Sequence, residues 1–158
     1  MQLQDIFSPA MFKLNLEAED KEEAFEELVS HLLEVYHIDS RNEILAAIRE
    51  REGKMSTGVQ HGIAVPHGKT DAVDRLMGVV GISENGVDYD ALDGQPVHLI
   101  FLLLSAAKDA GPHLKMLRSI AILLQSPQFY PDMLASKSAE QAYRTLCRYE
   151  DTLGIQEG

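Results

Sequence analysis

The sequence predicts an α/β fold with a mixed, partly antiparallel sheet, and three observations support this prediction. Segments with the period-two pattern of strands alternate with segments whose apolar residues have helical spacing. The run VHLIFLLLS, from Val97 to Ser105, is nearly all apolar, which is typical of a central strand buried on both faces. The pair Asn85-Gly86 is a strong signal for a hairpin turn, which would supply the antiparallel part of the sheet.

The composition predicts a single globular domain over residues 1–158. The chain is 45% hydrophobic and 25% charged, and its length suits one domain with an ordinary core. Its formal net charge of −11 opposes nucleic-acid binding, because that affinity depends on Lys and Arg side chains that neutralise phosphates. We therefore expect no nucleic-acid partner.

The sequence also indicates a cytoplasmic protein with no membrane insertion. The single cysteine, Cys147, cannot form an internal disulfide, and its helical surroundings suggest a small buried apolar residue rather than a reactive thiol. The opening segment MQLQDIFSPA lacks the basic and apolar regions of an export signal. The longest apolar run, Leu99 to Leu104, is far shorter than the ~20 residues that a membrane-spanning helix needs.

The first half of the chain predicts one strand followed by two helices. Residues 12–16 alternate between apolar and polar side chains, as in a strand with one buried face. Asp20 begins a helix, and a second helix begins at Asp39 or Ser40 and ends at Gly53. The apolar residues of the first helix recur at helical spacing and are Phe25, Leu28, Val29, Leu32 and Tyr36.

The second half predicts the rest of the sheet and two more helices. Ile63 to Val65 is expected to form a short strand, and Leu76 to Ile82 a buried strand with which Val87 to Tyr89 pairs back. Pro112 is placed as the first residue of a helix, and the last helix starts near Ser138. The expected buried stripe of the helix from Pro112 consists of Leu114, Leu117, Ala121 and Leu124.

The segment most suited to chemistry surrounds His67. Pro66 restricts the backbone before it, and Gly68 permits close backbone approach or positive φ after it, so His67 is predicted to lie on a stiff turn. His113 lies in the first turn of the helix after the central strand, where strand ends and helix starts meet at one sheet edge. A neutral histidine is nucleophilic, and Arg51 is suited to a bidentate phosphate contact.

Three short motifs in this region resemble a known family. They are Arg51-Glu52, Ser56-Thr57-Gly58 and the run GIAVPHG from Gly62 to Gly68. Together they are similar to the hallmark of the fructose, mannitol and nitrogen-regulatory type of enzyme IIA (EIIA type 2) in the phosphoenolpyruvate-dependent phosphotransferase system. The resemblance extends roughly from Leu3 to Leu146 and implies a three-layer α/β/α sandwich around a mixed sheet.

The resemblance also implies a role for each motif. In that family the histidine of PHG, here His67, accepts a phosphoryl group from the phosphohistidine of the carrier HPr, with Arg51 and His113 as its active-site partners. The family passes the group to an enzyme IIB or uses it to control regulatory protein targets, and it requires no cofactor. The residues expected to support the loop and the phosphate are Ser56, Thr57, Gly58 and Gly68.

The residues also bear on three other functions. A metal site built from His61, His67 and His113 is disfavoured, because no Cys or carboxylate has familiar zinc-motif spacing. A nucleotide-binding loop fails because five residues separate Gly62 from Gly68, where the GxxxxGK[ST] pattern needs four. A partner-binding module with the same fold but no phosphoryl chemistry stays open.

Two biological roles of an enzyme IIA also stay open, namely sugar transport and nitrogen regulation. The regulatory role is favoured because the sequence shows no fused carrier, IIB or membrane domain, and because its opening LQDIFSP resembles that branch. Gln60-His61 departs from the Gly-Asn typical of the family, which affects the expected loop conformation and partner preference. We expect apolar residues and an acidic surround at the site, suited to a small carrier with a basic face.

Overall fold

The described part of the protein is a mixed α/β structure with five strands and helices on both faces of the sheet. The computed structural model describes residues 2–58 and 61–154. Its strands are β1 Phe12–Lys13, β2 Ile63–Ala64, β3 His67–Lys69, β4 Met77–Val87 and β5 Val97–Ser105. Its α-helices are α1 Leu3–Ile6, α2 Lys21–Tyr36, α3 Arg41–Glu52, α4 Ala110–Gln125, α5 Phe129–Leu134 and α6 Ala139–Thr152.

The sheet is organised around β5, as the apolar run predicts. The strand order is β1-β4-β5-β2. Strand β3 also pairs directly with β5, further along β5 than β2 does. Strand β4 runs antiparallel to β5, whereas β2 and β3 run parallel to β5 and β1 runs parallel to β4. The prediction of a mixed, partly antiparallel sheet with this strand at its centre is therefore confirmed.

Side chains of β5 alternate between two cores, which makes the three layers. Ile100, Leu102 and Leu104 pack with α2 and α3 on one face of the sheet. Leu99, Phe101 and Leu103 point to the opposite face and pack with α1, α4, α5 and α6. The strand is consequently apolar at nearly every position, and the implied three-layer α/β/α sandwich is confirmed.

The hairpin predicted at Asn85-Gly86 is wrong. Strand β4 continues through this pair, with a register shift between Ile82 and Val87, and Val87 pairs with Val97 of β5. Gly86 has a φ of 89° and donates its N–H to the Ser83 side chain at 2.9 Å. The turn-forming pair therefore makes an irregularity within one strand, and the β4–β5 pairing supplies the antiparallel part instead.

The start and the buried face of α4 also differ from the prediction. The helix starts at Ala110, two residues before Pro112. The expected stripe is only partly right: Leu114 is 57% exposed and Ala121 is exposed. Leu117 and Leu124 are partly buried against the core. This helix carries apolar residues on several faces, so periodicity alone does not determine which face is buried. The side chains that it buries are His113, Met116, Ile120 and Leu123.

Helices α2, α3 and α6 follow their local signals. Asp20 caps α2 by accepting the Glu23 N–H at 2.9 Å, Gly53 follows the end of α3, and Ser138 caps α6, as predicted. Helices α1 and α5 are not among the helices that the sequence predicts. Pro131 is the third residue of α5, within the first turn, where no intrahelical N–H bond is lost.

Two sequence expectations about membranes and cysteine bear on the fold. Across residues 2–58 and 61–154, none of the helices has both the length and the apolar character to span a membrane. Cys147 is only partly buried on α6, and burial raises the pKa of its thiol, which disfavours the reactive thiolate.

Candidate active site

A cavity of about 530 Å³ brings together the three residues that the sequence analysis selected, Arg51, His67 and His113. Helix α3 contributes one wall, β3 the floor and the first turns of α4 the other wall. The lining residues are Ala47, Glu50, Arg51, Lys54, His67, Gly68, Lys69, Ala110, His113, Leu114 and Leu117.

His67 is the first residue of a strand rather than part of a turn. Strand β3 pairs with the end of β5, where His67 lies opposite Leu103, and the Pro66 carbonyl accepts the Leu103 N–H at 3.0 Å. The predicted turn is therefore wrong, because the short segment finds parallel strand partners that are distant in sequence. The rigid presentation of the imidazole comes from the sheet as well as from Pro66.

The hydrogen bonding of His67 determines which ring nitrogen is nucleophilic. Its Nδ1 lies 2.8 Å from the carbonyl oxygen of Val65. A carbonyl oxygen can only accept, so Nδ1 carries the proton and donates it. In the neutral ring Nε2 then holds the free lone pair.

The surroundings of His67 favour this neutral form. Burial lowers the pKa of the imidazole, and the positive charges of Arg51 and Lys69 lower it further, against the opposing effects of the Val65 carbonyl and Glu52. The ring is therefore mainly neutral near pH 7, as an attacking imidazole must be.

Gly68 allows α3 to lie directly against β3. A Cβ at this position would lie 3.0 Å from the carbonyl carbon and 3.1 Å from the carbonyl oxygen of Ala47. Gly68 does not have a positive φ. Of the two possibilities left open by the sequence, close backbone approach is the one that this glycine serves.

His113 lies beside His67 and is nearly inaccessible to solvent. The two ring centroids are 5.6 Å apart, and His113 is 3% exposed. Its Nδ1 forms a short hydrogen bond with the hydroxyl of Ser105, the last residue of β5. Burial, together with the nearby His67 and Lys69, lowers the pKa of His113 to about 4, so this ring is also neutral near pH 7.

The charged residues of the lining are Glu50, Arg51, Lys54 and Lys69, which makes the cavity mainly basic. The expectation of an acidic surround is therefore wrong for the cavity itself. One Arg51 N–H group donates to the Met55 carbonyl at 2.9 Å, and this bond fixes the guanidinium at the cavity edge. Acidic residues instead line a separate groove along α2, namely Glu17, Glu22, Glu23, Glu26 and Glu27.

The Ser56-Thr57-Gly58 motif does not line the cavity. Thr57 donates its N–H and its hydroxyl to the Glu52 carboxylate at 2.8 and 2.6 Å, and the Ser56 hydroxyl accepts the Gly58 N–H at 3.2 Å. Lys21 lies 3.1 Å from the same carboxylate. These bonds attach the loop after Arg51 to the body of the protein.

Sequence reasoning missed two contributors to the site. Lys69 lines the cavity next to His67. Its position directly after the PHG motif could have indicated that it belongs to the site. Ser105 was not selected because it ends an otherwise apolar strand. A fully buried serine at the carboxyl end of a central strand nevertheless indicates a functional site.

Of the three histidines considered for a metal site, His67 and His113 are neighbours but His61 lies apart from them. His61 does not line the cavity, and its backbone N–H binds the Asp93 carboxylate at 3.0 Å. Throughout the described ranges, no group of three or more His, Cys, Asp or Glu side chains is arranged to hold a metal. Gln60, its partner in the departure from the family pattern, lies outside the described residues.

Comparisons with known proteins identify a family whose model matches most of the chain. The family model described as "Phosphoenolpyruvate-dependent sugar phosphotransferase system, EIIA 2" matches residues 5–149. A fructose-specific EIIABC component of the phosphotransferase system from Bacillus subtilis is 34% identical over 140 residues, covering 89% of this chain. The chain spans only 22% of that longer protein.

Two nitrogen regulatory proteins match over nearly their full length. The one from Bradyrhizobium diazoefficiens is 31% identical over 146 residues, which cover 92% of this chain and 95% of that protein. The crystal structure of nitrogen regulatory protein IIA-Ntr from Neisseria meningitidis has a TM-score of 0.84 at 30% identity. That match covers 91% of this chain and 98% of the solved chain.

Proposed function

The chain belongs to the EIIA 2 family of the phosphoenolpyruvate-dependent sugar phosphotransferase system, and we propose that it carries a phosphoryl group on Nε2 of His67. The observation that supports this assignment most directly is the bond from Nδ1 of His67 to the Val65 carbonyl. That bond leaves Nε2 unprotonated in a cavity whose charged lining is mainly basic.

The transfer step exchanges one phosphorus–nitrogen bond for another. The Nε2 lone pair of His67 attacks the phosphorus of a donor phosphohistidine, the donor bond breaks, and its electron pair returns to the donor imidazole. The His67 ring keeps its Nδ1 proton and gains positive charge, which the Val65 carbonyl stabilises by accepting that proton in a hydrogen bond. Because both bonds join phosphorus to imidazole, the protein has mainly to position and stabilise charge.

The cationic residues of the cavity are suited to the transferred group. Arg51, Lys54 and Lys69 all line the space next to His67. Arginine can offer two parallel N–H groups to phosphoryl oxygens, while a lysine acts as a point charge. We assign to Arg51 the main contact with the phosphoryl group and to Lys69 a supporting charge.

We further propose an HPr-like phosphocarrier protein as the donor. Such a complex must separate after each transfer, so a modest interface is sufficient. The exposed Leu114 and the partly buried Leu117 at the cavity provide apolar contact area for it. The single cysteine of the chain fits a reducing compartment, which supports a cytoplasmic location.

For the biological role, nitrogen regulation is the first candidate and sugar transport the second. The relatives named nitrogen regulatory protein match this chain over 90% or more of both sequences in the Bradyrhizobium and Neisseria cases. The fructose-specific relative, at 34% identity, supports transfer to an enzyme IIB of a sugar permease instead. Transfer from the phosphorylated protein to a purified fructose-type IIB would favour the second role.

The direct test is incubation with phosphoenolpyruvate, enzyme I and HPr, followed by intact-protein mass spectrometry. We expect the wild type to gain one acid-labile phosphoryl group and His67→Ala to gain none. A matched control is His31→Ala, which removes a histidine from α2 that contacts the Ala10 carbonyl and should leave phosphorylation unchanged. An unphosphorylated wild type, or a phosphorylated His67→Ala protein, would contradict the proposal and favour a binding module without phosphoryl chemistry.

A further inference from the structure

The hydroxyl of Ser105 is buried and forms a hydrogen bond with His113. Ser105 is 0% exposed, at the end of β5, which pairs with β3, the strand of His67. Within residues 2–58 and 61–154, the one hydrogen bond made by its Oγ is to Nδ1 of His113. Its backbone carbonyl is separately engaged by the Thr70 N–H at 2.9 Å. Among the described residues, the serine side chain therefore bonds to His113 alone.

The direction of this bond follows from the requirement to satisfy buried donors. If Nδ1 of His113 were the donor, the hydroxyl hydrogen of Ser105 would remain in the interior without an acceptor, which is costly. If Ser105 donates instead, its hydrogen and the Nδ1 lone pair are both satisfied. A neutral His113 ring then carries its proton on Nε2.

We propose that Ser105 is a positioning residue that holds His113 in the Nε2–H tautomer, so that His113 offers a hydrogen-bond donor to the phosphoryl group on His67. The two neighbouring rings thus have opposite tautomers. Val65 holds His67 with a nucleophilic Nε2, and Ser105 holds His113 with a protonated one. The part of this inference that concerns transfer rests on the proposed function.

The opposite tautomers have a chemical advantage for a carrier. A neutral N–H donor can stabilise phosphoryl oxygens as negative charge shifts between the two proteins, without the desolvation cost of a buried cation. A His113 ring with a bare Nε2 would instead direct a lone pair at those oxygens. The tautomer at His113 therefore determines whether the ring stabilises the group or repels it.

Nitrogen-15 NMR of the imidazole rings in the full chain tests the tautomer directly. His67 and His98 provide internal references, because their Nδ1 atoms lie 2.8 Å from the carbonyls of Val65 and Ser83 and must be donors. We expect His67 and His98 to show protonated Nδ1 and His113 to show protonated Nε2. Protonated Nδ1 at His113 in the wild type would overturn the proposal, whatever the behaviour of any variant.

Substitutions then test the link to transfer. In Ser105→Ala we expect His113 to lose its tautomer preference and the rate of phosphotransfer to fall about tenfold, the effect of one lost hydrogen bond in the transition state. Ser105→Thr retains the hydroxyl and should retain the wild-type tautomer and rate. The matched control is Ser83→Ala, a 1% exposed serine whose hydroxyl accepts the Gly86 N–H.

The outcomes separate this proposal from the proposed function. If Ser105→Ala transfers at the wild-type rate, or if its His113 tautomer is unchanged, the positioning role is refuted. If the wild type accepts no phosphoryl group at all, the proposed function fails, while the NMR measurement still decides the tautomer.

Discussion

Replacing Gly68 with alanine tests how the fold positions the site. The added Cβ would lie 3.0 Å from the carbonyl carbon and 3.1 Å from the carbonyl oxygen of Ala47, which are backbone atoms of α3. Neither atom can rotate away as a side chain would, so β3 and α3 must separate by a few tenths of an ångström. Arg51 lies one turn further along α3 and would move with it.

The cost of this substitution follows from two opposing effects. Overpacking of this kind costs about 1–3 kcal/mol, and the lower entropy of the unfolded Ala chain returns about 0.5–1 kcal/mol. We therefore expect Gly68→Ala to lower the free energy of unfolding by about 1–2 kcal/mol. For a chain of this size, that corresponds to a Tm decrease of about 3–6 °C.

Thermal melts followed by circular dichroism, together with phosphotransfer rates from HPr, check this expectation. Below its Tm, Gly68→Ala should remain folded yet transfer about tenfold more slowly, because Arg51 and His67 no longer have their relative positions. Gly111→Ala is the matched control, since its added Cβ would have no neighbour within 4 Å beyond the adjacent residues and backbone of its own helix, and it should be at least as stable as the wild type.

A double variant sharpens the test. Ala47→Gly removes the Ala47 Cβ, which lies 3.2 Å from the added atom, but leaves the backbone contacts in place. Ala47→Gly should therefore fail to rescue Gly68→Ala. Wild-type stability and rate in Gly68→Ala would refute the reasoning, as would full rescue by Ala47→Gly.

Two further predictions concern the charges around the site. Burial alone would raise the pKa of the Glu52 carboxyl, but the bonds from Thr57 and the Lys21 ammonium outweigh burial and lower this pKa. Glu52→Gln should therefore lose about 1–3 kcal/mol of unfolding free energy. Urea denaturation that shows no loss would contradict this role. Arg51 lowers the pKa of His67, so Arg51→Gln should raise it. The variant should then lose phosphoryl acceptance at a higher pH than the wild type as pH falls; an NMR titration with an unchanged His67 pKa would refute this.

The elements that the sequence predicts correctly are determined by residues that are close together in the chain. The start of α2 depends on the Asp20 side chain and the nearby Glu23 N–H, which are three residues apart. The central position of β5 follows from a run with apolar side chains directed to both faces. Such features are encoded within a few residues, so pattern reasoning finds them.

The errors arise where pairing partners are distant in sequence. The sequence predicts a turn at His67, but His67 forms a strand because Leu103 lies opposite it in β5. Helix α4 has apolar residues on more than one face. Its contacts with β5 and the other helices therefore determine which face is buried. Asn85-Gly86 has the composition of a hairpin turn, yet β5 extends far enough to pair beyond it.

In the candidate site too, some features follow from local sequence and others depend on contacts between distant residues. His67, Arg51 and His113 were selected from the motifs and from their places at element ends, and all three line one cavity. The basic character of that cavity was not predicted, because net charge describes the whole chain and not the distribution of its residues. The contact of Ser105 with His113 depends on how α4 packs against the end of β5, which no local pattern specifies.

The most direct test of the central claim is NMR of the phosphorylated protein to identify the phosphorylated atom. Phosphorus–nitrogen couplings in nitrogen-15-labelled protein distinguish Nδ1 from Nε2 within each histidine ring. We predict one phosphoryl group on Nε2 of His67, with Nδ1 still protonated and bound to the Val65 carbonyl. A phosphoryl group on Nδ1 of His67, or on any other residue, would contradict the account.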